Sequence, residues 1–111
     1  MGTIDIEKNE YIIKMNSGEI TTDLIKGKLD SVIIDSDEYV SVTIESSLGY
    51  LVFHNGQTKG INYYAPRAVV QGAISRLIVN DQFDKFKLNE SLNIRVSGPD
   101  NTQTTIILRI D

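Results

Sequence analysis

Hydrophobic and polar residues alternate with a period of two along much of this chain. Between Tyr39 and Ser46, Val40, Val42 and Ile44 fall on one side, and Tyr39, Ser41, Thr43 and Glu45 on the other. Leu92, Ile94 and Val96 alternate with Asn93, Arg95 and Ser97, and Ile106, Leu108 and Ile110 with Thr105, Ile107 and Arg109. Successive side chains of a strand point to opposite faces, so each segment offers one core face and one wet face. Further strands are predicted at Tyr11–Met15, Glu19–Leu24, Ser31–Asp35, Gly49–His54, Gln57–Tyr64, Ala68–Gln71 and Ile74–Val79, with a short one around Phe86–Leu88. Their content of Val, Ile, Thr and Tyr suits a pleated surface.

Turn chemistry punctuates these runs. Asn16-Ser17-Gly18 and Asp35-Ser36-Asp37-Glu38 are read as connections, and Asn55-Gly56 as the tight turn of a hairpin between Gly49–His54 and Gln57–Tyr64. Gly60 then reads as a bulge in the returning strand. Pro99 has no amide hydrogen to give a ladder, which places Ser97–Asn101 between the last two strands. Pro66–Val79 partly matches helical spacing, but Gly72 and a crowd of β-branched residues favour strand.

The expected fold is all-β: a two-sheet antiparallel β-sandwich or jelly roll of about eight strands. Residues 1–8 are expected to form a flexible arm or an edge strand, and residues 9–111 a single domain, since 111 residues fit one core. No crossover helices are available for a parallel α/β sheet.

Composition narrows the chemistry. There is no cysteine, hence no disulfide and no thiolate ligand, and the single histidine, His54, cannot complete a zinc site. No Gly-x-Ser-x-Gly elbow accompanies His54, so no catalytic triad is expected. Calcium takes oxygen ligands, but the acidic groups Asp35, Asp37, Glu38 and Asp81, Asp84 lack EF-hand spacing and are read as solvated turns. No enzyme activity and no cofactor are expected. A net charge of −4 argues against nucleic acid, whose binders neutralise phosphates. No apolar run is long enough for a membrane helix, and no signal peptide is read at the start. The charge is uneven: residues 1–55 carry 4 Lys/Arg against 10 Asp/Glu, and residues 56–111 carry 7 against 5. Interleaving of strands from both halves would cancel that asymmetry in space.

Two places suit protein contact. Tyr63 and Tyr64 adjoin Pro66-Arg67; adjacent tyrosines on a strand face opposite ways, so one lies inside and one outside. Tyrosine offers rigid contact area and arginine planar hydrogen bonding. On the last strand, Ile107 and Arg109 fall on the face opposite Ile106, Leu108 and Ile110. Tyr63, Tyr64, Arg67, Ile107 and Arg109 are therefore the candidate interface residues, and no catalytic, cofactor or metal residue is assigned. A groove lined by Tyr50, Tyr63 or Tyr64 would instead indicate a carbohydrate- or peptide-binding module.

The Gly49–Gly56 run and the closing segment Leu92–Asp111, in a small, acidic, cysteine-free all-β chain, resemble bacteriophage virion components of the head-decoration or tail-accessory type. The resemblance spans the chain in style and rests on no motif, so no functional residue carries over. It implies a structural protein of a phage particle, assembled in the host cytoplasm and located in the virion. Its partners would be capsid or tail subunits and further copies of itself.

Overall fold

The computed structural model describes residues 2–71 and 78–111, and among them every regular element is a strand. In chain order these are β1 (Thr3–Glu7), β2 (Glu10–Met15), β3 (Gly18–Thr21), β4 (Ile25–Ser46), β5 (Leu51–Tyr64), β6 (Ala68–Gln71), β7 (Ile78–Asp84), β8 (Phe86–Glu90), β9 (Leu92–Ser97) and β10 (Thr104–Ile110). Eight of them join through antiparallel ladders into one curled sheet, and β6 pairs with β7. Where two separate facing sheets were expected, the hydrogen bonding is continuous, because two strands are long enough to serve both limbs of the curl.

The hub is β4, 22 residues long. Along one edge it pairs first with β10, through Leu29–Ser36, and then with β9, through Ser41–Ser46. Along its other edge it pairs with β8 and then with β5. The first limb is therefore β1-β2-β10-β4-β5, using the end of β5, and the second is β3-β9-β4-β5, using its beginning. Passage between limbs occurs at a bulge: Ser36 to Val40 on β4 faces only Gly60 to Thr58 on β5. The two extra residues on β4 bend and twist the strand there, as a bulge does. Gly60, predicted as a bulge, lies here with φ +80°.

Two expected connections are corrected. Asp35-Ser36-Asp37-Glu38 does not separate strands; it is the bulge within β4, tied by Ser36 Oγ donating to the Glu38 carbonyl at 2.9 Å. Asn55-Gly56 does not form a hairpin turn either. It lies inside β5, where Asn55 pairs with Val42 and the ladder slips by one residue before Thr58. A type I′ turn needs positive φ at both central residues, and neither has it. The hairpin closes instead at 47–50, with Ser46 N–H bonded to the Tyr50 carbonyl at 2.8 Å and Gly49 at φ +97°. Glycine reaches that left-handed region without the Cβ penalty.

Among the described residues β1 is an edge strand, held by β2 alone. Gly18 opens β3, but β2 and β3 are not neighbours, since β3 pairs with β9 on the second limb. The Ser97–Asn101 connection leads from β9 to β10. Of the Pro66–Val79 region, Ala68–Gln71 is a strand and β7 starts at Ile78; residues 72–77 of the predicted Ile74–Val79 strand lie outside the described residues. The side chain of Phe83 also lies outside them, while Phe86 packs against the core cluster.

The core fills the inside of the curl. Ile13, Ile106, Ile34, Leu108 and Val32 come from the first limb, and Ile94, Ile44, Val42, Leu92 and Val96 from the second. Fully burying such a side chain contributes roughly 1.5–3 kcal/mol, which opposes the entropy of ordering the strands. Ion pairs join the acidic first half to the basic second half: Arg109 meets Glu10, Arg95 meets Glu19 and Glu45, and Lys85 meets Asp30.

Candidate functional site

The ladder registers lay the outer side chains of the first limb in rows. The central row runs Asp5, Ile12, Ile107, Ile33 and Tyr63 across β1, β2, β10, β4 and β5. Beside it run Thr3, Lys14, Thr105, Asp35 and Ile61, and on the other side Glu7, Glu10, Arg109 and Ser31. Ile12 and Ile107 are half-buried, Ile61 is 64% exposed and Tyr63 70% exposed. Ile33 is 6% exposed, but it stands apart from the core cluster, and its chain neighbours Val32 and Ile34 both belong to it. Outside the core cluster, the apolar residues of this row form a stripe that is buried at Ile33, half-buried at Ile12 and Ile107 and exposed at Tyr63, edged by charged residues.

The five predicted interface residues divide. Tyr63 and Ile107 lie in this row, two strands apart. Arg109 lies in the adjacent row, where its Nε donates to Glu10 Oε2 at 2.8 Å. Tyr64 points the other way: its ring lies 5.0 Å from Phe53, its hydroxyl accepts from Asn55 Nδ2 at 2.9 Å, and it donates to Thr58 Oγ1 at 3.2 Å. Arg67 spends Nη1 on the carbonyls of Asp30 and Pro66, at 2.9 and 2.8 Å. Its reach ties the chain after β5 to β4 and does not extend to the stripe.

Sequence reasoning missed Ile12, Ile33 and Ile61. The signal was available in the doublets Ile12-Ile13, Ile33-Ile34 and Ile106-Ile107. Adjacent strand residues face opposite ways, so one member of each doublet must point away from the core. Three doublets on three neighbouring strands amount to an apolar outer stripe.

The outer face of the second limb is polar. Glu19, Arg95, Thr43 and His54 share a row. Arg95 sits between Glu19, 3.6 Å away, and Glu45, while Thr43 Oγ1 and His54 Nδ1 are 2.9 Å apart. The open depression between Ser41, Thr43, His54, Arg95 and Ser97 offers hydroxyls to solvent but holds its arginine in ion pairs.

The tyrosines named for a binding groove do not share one. Tyr63 faces outward on the first limb and Tyr64 inward. Tyr50 follows the 47–50 turn, stacked on Phe86 at 6.3 Å and donating to Glu90 Oε1 at 2.5 Å. Desolvation, reinforced by the Glu90 carboxylate, holds the Tyr50 phenol above its ordinary pKa. At the base of β4, Lys85 bridges Asp30, at 3.0 Å, and Asp111. Its hydrogen bond holds the Asp30 carboxyl below its usual range, and Asp111 and Asp30 raise the lysine. No group of three potential metal ligands gathers among the described residues, which exclude the Asp81 and Asp84 side chains.

No family model matches this chain, and neither the curated proteins nor the solved structures contain a match to it.

Proposed function

We propose that this protein is a structural subunit that works through protein–protein contact at the outer face of its first limb. The particle we propose for it is a bacteriophage virion, in which it decorates or stabilises a capsid or tail assembled in the host cytoplasm. The observation that carries the reading is the group Ile12, Ile107, Tyr63 and Ile61, apolar side chains half-buried or exposed on the outer face of the sheet. Chain economy supports it as well: a single curled sheet spends its inner face on the core and leaves its outer face as the broad surface on offer. In this reading the two limbs, bridged by β4 and β5, act as the two layers of a sandwich. Particles induced from the cells that encode the chain, banded on a density gradient and analysed by mass spectrometry, test the reading. The chain is expected in the particle band at a fixed ratio to the shell protein. Its confinement to the soluble fraction refutes the virion assignment.

A further inference from the structure

On the reading that the first limb's outer face is a contact surface, we infer that its occupant is a second copy of this chain, packed sheet to sheet about a two-fold axis running along β10. The inference comes from the symmetry of the rows. β10 is the middle strand of the limb, with β2 and β1 on one side and β4 and β5 on the other. A two-fold axis along β10 exchanges those sides, so each residue meets the one at its mirror position.

The mirror positions are complementary. Ile107 lies on the axis and meets its own copy, while Ile12 meets the partner's Ile33; Ile33 is already 6% exposed in the single chain, so the half-buried Ile107 and Ile12 supply the apolar centre. Lys14 and Asp35 flank Thr105 on either side, so Lys14 meets the partner's Asp35, and the same pair forms twice. Asp5 meets the partner's Tyr63, a phenol able to donate to a carboxylate, and Glu10 meets the partner's Ser31. Arg109 lies on the axis and meets itself, but each guanidinium is already neutralised by Glu10 at 2.8 Å. Neither Lys14 nor Asp35 has an ion-pair partner within the described chain, and both are exposed. Thr3 meets the partner's Ile61, so apolar matching is confined to the central row, and the Lys14–Asp35 pair, formed twice, is what makes the surface fit itself. An unrelated partner would not require that internal symmetry. The charged pairs set register and orientation, and Tyr63 and Ile61, 70% and 64% exposed, bring most of the apolar area to be buried.

Sedimentation equilibrium of the full chain, with charge-swap variants, tests the pairing. The wild-type chain is expected to reach twice the 12.4 kDa of the single chain as concentration rises. Lys14→Asp and Asp35→Lys should each weaken the dimer by roughly tenfold or more, since each sets like charges together twice. Combining the two swaps should restore it. Circular dichroism checks that the variants keep the fold, and Ile107→Asp should abolish the dimer by charging its axis. A wild-type chain that stays monomeric overturns the inference, as does a dimer indifferent to either swap or not recovered by their combination. The density-gradient test is independent of these results. A monomer found in particles sinks the two-fold pairing alone, and a dimer absent from particles sinks the virion assignment alone.

Discussion

Gly56→Ala and Gly49→Ala separate the observed path of β4 and β5 from the hairpin that the sequence predicts at Asn55-Gly56. Gly56 has no positive φ, and a Cβ built on it meets nothing within 4 Å. Alanine there only restricts the unfolded chain, which stabilises by about 0.4–1 kcal/mol. Gly49 also has open space where an alanine methyl would sit, but its φ is +97°. Alanine at that position carries left-handed backbone strain of about 1–2 kcal/mol. The two variants should therefore differ by about 2 kcal/mol, with opposite signs. For a domain of this size that corresponds to about 10 °C in Tm. Urea unfolding followed by circular dichroism reads the difference as a shift in midpoint at constant slope. If Gly56→Ala loses as much stability as Gly49→Ala, Asn55-Gly56 is a tight turn and the unbroken β5 is wrong.

Thr104 is fully buried and its hydroxyl has no hydrogen-bond partner among the described residues. Thr104→Val should raise stability by about 1 kcal/mol, because an unsatisfied buried hydroxyl is removed at nearly constant shape; a loss of that size would reveal a partner for the oxygen. The depressed carboxyl of Asp30 gives a pH signature. Its stabilising contribution is fully present above the unfolded value of 3.8 and is lost as pH falls through the lower folded value. The stability gap between the wild type and Asp30→Asn should be constant above that pH and narrow below it in acid denaturation. A gap that does not change with pH means that Lys85 does not hold the carboxylate.

Strand identity was legible because alternation is local. Leu92, Ile94 and Val96, and Ile106, Leu108 and Ile110, could be assigned to the core before any partner strand was known, and all six are buried. The outward placement of Ile107 followed from the same alternation. Connectivity was not legible in the same way. Asp35-Ser36-Asp37-Glu38 and Asn55-Gly56 have the composition of turns, yet the same residues serve a bulge, because both need backbone freedom and small polar side chains. Which of the two forms depends on whether the flanking segments pair with each other or share a neighbour. Val40 and Ser36 both pair with β5, and Asn55 and Thr58 both pair with β4, so neither segment reverses.

The sequence by itself determined that the chain is β and, for the segments 40–44, 92–96 and 106–110, which residues face the core, since these depend on side-chain order along a pleated backbone. Only the tertiary structure decided that β4 and β5 run unbroken through both limbs and that the strands form one curled sheet. It also decided that Ile12, Ile107, Ile33 and Tyr63, scattered along the chain, stand in a single row. Register is set by which strands find each other across long stretches of sequence, and period two constrains the face a residue takes but not the neighbour it meets.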